Sequence, residues 1–230
     1  VSAAVPDAET IVVDGPDAHS YLDSQCTQDL SSLAVGDTAP TLVLQPSGVL
    51  VTVASVTRTD AASLSVAVPW GAGGPTAARL RRFAIRAELT VHEPVPVGHS
   101  ETFGGVARLR AGIPGPAELA RELVPHALAA ALRERCVSFT KGCYPGQELV
   151  ARMQARGATP PYVLRGLSAD APIAEGDPVG DAGFDGAVTS VLPDPEDGGW
   201  LALCVLHRRD AQGATVEVRS GVDVVVARIR

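Results

Sequence analysis

From residue 162 onward the chain carries strand signals and nothing else, and this limits the fold more than any other feature. Short β-branched or apolar segments near 162–167, 187–192, 200–207, 214–219 and 222–229 are parted by Gly, Asp and Pro turns. Strands this short cannot cover their own apolar faces, and a run of them with no helix between is satisfied by closing into a small barrel. Residues 1–95 read differently. Strands are expected at Ile11–Val13, Thr41–Leu44, Val49–Thr57, Leu64–Val68 and Leu89–His92. Helices are expected at 17–24, with Asp17 as N-cap, and at Thr76–Ala87. The order β-α-β-β-β-α-β predicts an α+β domain with helices on one face of a largely antiparallel sheet.

Pro and Gly cluster from Pro94 to Gly105, as in a linker. Beyond it the pattern suggests a short strand over 106–112, a helix over 125–135 starting at Pro125, and a helix from Pro145 to Gln154. Gly157-Ala158-Thr159-Pro160-Pro161 breaks the chain again. Three parts are therefore expected: 1–95, 96–158 and 159–230.

The chain has 230 residues, 46% of them hydrophobic but only 4% aromatic, so its cores must be filled mainly by Val, Leu and Ala. A net charge of -7 argues against direct nucleic-acid binding. No apolar run approaches the ~18 residues of a membrane span, and Val1-Ser2-Ala3-Ala4 lacks the pattern of a signal peptide. The cysteines, at 26, 136, 143 and 204, show neither CxxC pairs nor the density of a disulfide scaffold. Free thiols in a reducing, cytoplasmic compartment and no metal site are the expectation.

Eighteen arginines accompany one lysine, Lys141, which opens the run Lys141-Gly142-Cys143-Tyr144-Pro145-Gly146-Gln147-Glu148. A compact ammonium on a flexible stem differs from a planar guanidinium, and burial moves its pKa readily. Proline favours the first position of a helix and acidic side chains favour the first turn. Cys143 is thus expected just ahead of a helix N-terminus, where the dipole and Lys141 would favour a thiolate. Gly142 and Gly146 allow left-handed backbone or close approach, and Tyr144 adds a ring and a hydroxyl. The same residues also fit a plain loop entering a helix, with the cysteine as a small core residue.

This octapeptide resembles the signature of the YgfZ-type folate-binding proteins, relatives of the glycine-cleavage T-protein (aminomethyltransferase). Gly15-Pro16-Asp17-Ala18, Tyr21-Leu22, Gln25-Cys26-Thr27-Gln28-Asp29-Leu30, Arg108 to Pro114, Pro125-His126, Val150-Ala151-Arg152 and Val188-Thr189-Ser190 fit the family in order. The resemblance implies a ring of a ferredoxin-like domain, a second α+β segment and a C-terminal β-barrel around a folate cavity. It implies tetrahydrofolate as ligand and a role in assembly or repair of iron–sulfur client proteins, including tRNA-modifying enzymes. Cys143 and Lys141 would carry the chemistry, Gly142, Tyr144, Gly146, Gln147 and Glu148 would form the ligand loop, and Gln25, Arg108 and Arg152 would touch the folate.

Two departures separate the chain from the T-protein. Where that enzyme has Asn-x-x-Gly-Gly-Ile-x-Asp-Asp with an essential aspartate, Gln45-Pro46-Ser47-Gly48-Val49-Leu50-Val51-Thr52-Val53 holds no carboxylate. Where it has Arg-x-Glu-Ala-Gly, Arg108-Leu109-Arg110-Ala111-Gly112 reverses the charge. Aminomethyl transfer would need a carboxylate from elsewhere and stands as the alternative activity.

Other signals read as structural. Trp70-Gly71-Ala72-Gly73-Gly74-Pro75-Thr76 is a turn before a helix rather than a dinucleotide loop. Arg79, Arg82 and Arg86 suggest a solvated helix face. His126 reads as a helix-start residue, and Trp200 and Cys204 as barrel core.

Overall fold

A computed structural model describes residues 6–180 and 185–230. The segment Val1-Ser2-Ala3-Ala4 lies outside the described residues. The first sheet comprises β1 (Ala8–Asp14), β2 (Thr38–Leu44), β3 (Leu50–Arg58), β4 (Ser63–Pro69), β5 (Thr90–Val91) and β6 (Val95–Val97). Its order is β2-β3-β4-β1-β5, with β6 also on β1, and its pairings are antiparallel. Helices α1 (Ala18–Gln25) and α2 (Gly73–Phe83) contribute Leu22 and Leu80 to a core with Ile11, Val13, Val56, Leu64 and Val66.

The sheet has a second buried face. Leu42, Leu44, Leu50 and Val53 join Leu109, Leu132, Tyr144 and Val150 of the middle segment and Leu201, Leu203 and Val205 of the C-terminal strands. That middle segment holds α3 (Gly105–Ala111), α4 (Pro116–Leu119), a 3-10 turn (Pro125–Ala127), α5 (Ala130–Cys136) and α6 (Gln147–Arg156).

The tail closes into a six-stranded barrel of β7 (Tyr162–Ala169), β8 (Pro178–Val179), β9 (Gly186–Pro193), β10 (Trp200–His207), β11 (Thr215–Ser220) and β12 (Asp223–Ile229). Strand β10, Trp200-Leu-Ala-Leu-Cys-Val-Leu-His207, is apolar along most of its length because both of its faces are covered. Leu201, Leu203 and Val205 face the middle segment, while Ala202, Cys204 and Leu206 face the barrel interior. Each fully buried leucine contributes ~2 kcal/mol. A slip of one residue would exchange the two sets, so the register is strongly specified.

Several expected elements differ. Residues 106–112 form no strand: 105–111 is helical, and Gly112 ends that helix at φ 65. The expected helix over 125–135 is split, because Leu128 and Ala129 are extended between the 3-10 turn and α5. Helix α6 starts at Gln147, with left-handed Gly146 as N-cap, so Pro145 stands outside it. Asp17 occupies the N-cap of α1 without a side-chain cap bond; its carboxylate instead accepts from the Glu88 amide at 2.8 Å. Among the described residues no helix is long and apolar enough to cross a membrane.

Candidate functional site

The lone lysine is a clamp. The Lys141 side chain is 2% exposed, and its ammonium pairs with Asp23 Oδ1 at 3.0 Å. It also donates to the carbonyl oxygens of Asp23, Cys26 (3.1 Å) and Gln28 (2.8 Å). An ammonium has three donors that can be turned toward converging oxygens, which a flat guanidinium cannot match. All four acceptors belong to the last turn of α1 and the segment that follows it, and the Cys143 thiol is not among them. Asp23 Oδ1 accepts in addition from the Leu30 amide, fixing the same segment. Thr27 and Gln28 then reach Cys136 and Arg135 carbonyls at the end of α5 (2.6 and 2.7 Å).

After the lysine the motif divides into an open and a packed half. Gly142 and Cys143 are exposed, and a Cβ at Gly142 would meet nothing within 4 Å. Cys143 is the exposed cysteine of four; Cys26, Cys136 and Cys204 are buried. Burial pushes those three thiols up to about 12, 11 and 12. Tyr144 is buried in the central core, where desolvation raises its phenol to about 12. Gly146 packs on the β2–β3 hairpin, Gln147 is half-buried and Glu148 exposed in the first turn of α6.

Between the second face of the sheet and helices α3 and α5 lies a cleft of about 390 Å³. Pro40, Val53, Phe103, Ala107, Ala111, Ile113 and Leu132 make it mostly apolar, and Thr38, Ser55, Glu101, Arg135 and Cys136 supply polar groups. Val53 belongs to the stretch in which no carboxylate occurs. Phe103 also lines a second cavity of about 480 Å³ between Trp70, Arg108, Glu118 and the barrel strand β9.

A buried network stands at the wall of that second cavity. Glu118 is fully buried, pairs with Arg108 Nη1 at 3.2 Å and accepts from Ser190 Oγ at 2.6 Å. Arg108 Nη2 donates to the same hydroxyl at 2.9 Å, so α3, α4 and β9 meet at three side chains. Glu118 also accepts from the Gly115 amide at 2.7 Å. Sequence reasoning missed Glu118, although Gly115-Pro116-Ala117-Glu118 has proline at N1 and a glutamate at N3 placed to accept from the N-cap amide, the half of a capping box that a glycine N-cap permits.

Other expected site residues lie elsewhere. Gln25 accepts from Arg79 Nη1 at 3.1 Å and does not line the cleft. Arg152 is exposed on α6 and lines neither cavity. Arg79 does not share a solvated face: it is 4% exposed, donates to the Leu44 carbonyl and stacks on Phe83 at 4.1 Å. Arg110 turns to the barrel, pairing with Asp194 at 2.7 Å and with Glu196. His126 is buried, and burial pushes its imidazole below the usual range.

The mixed α+β architecture, antiparallel sheet and C-terminal six-stranded barrel are those of the T-protein fold. The chain superposes on glycine cleavage system aminomethyltransferase T from Bartonella henselae with a TM-score of 0.71. The match covers 98% of this chain and 83% of that one at 15% identity, so it defines the fold alone. In sequence the chain is 27% identical over 188 residues to an uncharacterized protein of Haemophilus influenzae, 65% of this chain and 67% of that protein. No family model matches the chain.

Proposed function

We propose that this protein binds tetrahydrofolate or a related folate in the cleft between the sheet and helices α3 and α5. In this reading it supports assembly or repair of iron–sulfur proteins, including enzymes that modify tRNA, with Cys143 as the reactive thiol. One observation carries the ligand half: a T-protein fold presents an apolar cleft wide enough for a flat heterocycle, with Ser55, Thr38 and Arg135 as polar contacts. Val53 in its wall stands within the stretch where the T-protein has its essential aspartate. A folate nitrogen there meets an apolar side chain, which supports binding without aminomethyl transfer.

The thiol half rests on the exposure of Cys143 beside a loop anchored at Lys141 and Gly146. Lys141 is a positioning residue, and Gly142, Tyr144, Gln147 and Glu148 shape the loop around the thiol. In this reading the parts 1–95, 96–158 and 159–230 supply most of the sheet, the motif and the barrel, with β6 (Val95–Val97) crossing the first boundary. Titration with tetrahydrofolate should give saturable one-to-one binding; the absence of binding contradicts the ligand half. Complementation of a strain lacking the protein, scored by iron–sulfur enzyme activities, tests the thiol half. Cys143→Ala should fail to rescue, and full rescue contradicts it.

One observation favours a second reading. Glu101 lines the cleft and is a carboxylate supplied from outside the β3 stretch. Product from an aminomethyl-lipoyl donor and tetrahydrofolate, abolished by Glu101→Gln, would establish a one-carbon transferase instead.

A further inference from the structure

We propose that strand β12 accepts an extended, basic segment of a partner protein as an added strand along its open edge. Among the described residues β12 pairs with β11 from Asp223 to Arg228, but with β7 only at Arg228 and Ile229. The stretch from Asp223 to Val226 thus has no strand on its β7 side. A groove of about 630 Å³ lies there, lined by Ser220 and residues 223–226 of the hairpin and by Asp170, Ala171 and Pro172 beyond the end of β7.

The backbone of this edge faces the groove. The Ile229 amide donates to the Ala214 carbonyl, next to β11, and the Arg230 amide to the Gly166 carbonyl of β7 (2.8 and 2.9 Å). Successive residues of a strand address opposite neighbours, so Val224 and Val226 direct their N–H and C=O groups to the β7 side, where an added strand would supply partners. The side chains agree with this. Ala227 is buried in the barrel core and Val225 packs against it, whereas Val222, Val224 and Val226 are 99, 51 and 63% exposed. Sheets ordinarily protect an open edge with charge, proline, a bulge or a covering element. Valines at alternate positions instead suit the alternate apolar side chains of an incoming strand.

Charge decides which strand fits. The ionisable residues lining the groove are Asp170 and Asp223, both acidic. Asp170 meets Arg228 at 3.0 Å, while Asp223 has no ion-pair partner among the described residues. On β11, Glu217 and Arg219 stand opposite Val226 and Val224 and cancel in charge. The chain as a whole carries -7. A strand with Lys or Arg beside its apolar positions is therefore attracted, whereas a second copy of this chain would bring the same carboxylates and the same net charge.

The test is selection of a random heptapeptide library on the whole protein. Enriched sequences should place Val, Ile or Thr at alternate positions and carry Lys or Arg. The best of them, synthesised, should slow hydrogen exchange at the Val224 and Val226 amides and leave the Val225 amide, on the β11 side, unchanged. Val226→Pro removes one groove-facing N–H and keeps the β11 ladder, so affinity should fall about tenfold or more. Asp223→Lys should weaken the same peptide about fivefold at low salt; Asp223 is exposed, so this variant keeps the test sound if Val226→Pro fails to fold. No enrichment, protection confined to other amides, or affinity unchanged in the folded variants overturns the proposal. Enrichment of peptides rich in Asp and Glu overturns the basic partner. A concentration-dependent dimer of the free protein in sedimentation, with the same two amides protected, assigns the edge to a second copy and overturns it as well.

Discussion

Gly48 and Gly146 meet backbone to backbone where the motif docks on the β2–β3 hairpin. Gly146 has φ 84 and Gly48 φ 87, and a Cβ on Gly146 would lie 2.9 Å from the Gly48 Cα. It would also lie 2.8 Å from the Gln45 carbonyl oxygen, which cannot retreat as a side chain can. Gly146→Ala should therefore destabilise the protein by about 1–3 kcal/mol, read from urea unfolding. Gly142→Ala, where the added methyl meets nothing within 4 Å, should change stability by less than about 0.5 kcal/mol. Equal effects would show that the contact does not shape the loop.

The Lys141 cage predicts that charge alone is insufficient. Lys141→Met leaves Asp23 and three carbonyls without their donor and should cost about 2–3 kcal/mol. Lys141→Arg should recover less than half of that, because its planar head cannot turn toward oxygens converging from one segment. Thermal unfolding gives the ranking. Hydrogen exchange at the Leu30 amide, bound to Asp23 Oδ1 at 2.7 Å, should accelerate in both variants. A fully stable arginine variant would mean the cage accepts any cation.

Five of the six barrel strands were legible to within a few residues because turns rich in Gly, Asp and Pro punctuate them and β-branched residues fill them; β8, two residues long, carries too short a pattern to be read. The middle segment was not legible. Val106-Ala107-Arg108-Leu109-Arg110 alternates apolar and polar residues closely enough to mimic a strand, yet tertiary partners decide it. Leu109 enters the central core, Arg108 reaches Glu118 and Ser190, and Arg110 reaches Asp194. None of those partners is within reach of a local pattern. Lys141 was conspicuous for its rarity, but its counter-ion lies 118 positions away in sequence, so its task was invisible. The cleft was likewise unreadable, since β3, α3 and α5 build it together.

The Arg108–Glu118–Ser190 junction should behave as one unit. Glu118 is fully buried and the Arg108 side chain 16% exposed, so Glu118→Ala strands a guanidinium and should cost about 3 kcal/mol or more. In a double-mutant cycle with Arg108→Met the combined loss should be smaller than the sum of the single losses. Strict additivity would show that the pair does not couple.

Thiol chemistry separates the cysteines. In the native protein a thiol reagent should titrate one thiol of the four, Cys143, and all four after unfolding. Burial raises Cys26, Cys136 and Cys204 from an ordinary 9.0 to about 12, 11 and 12. Unfolded thiols thus ionise from pH 9 while the folded ones stay protonated, so stability present below pH 9 is lost as pH rises toward 11–12. Unfolding midpoints measured between pH 8 and 10.5 should fall steadily, and less steeply in Cys204→Ala.

The most direct test of the proposed ligand is to fill its cleft. Ala107 lines that cleft and does not line the Arg108–Glu118 cavity. Calorimetric titration of tetrahydrofolate into wild type and Ala107→Trp, each shown to be folded by thermal unfolding, should give one-site binding to the first and none to the second. Equal binding to both proteins would place the folate outside the cleft and contradict the account.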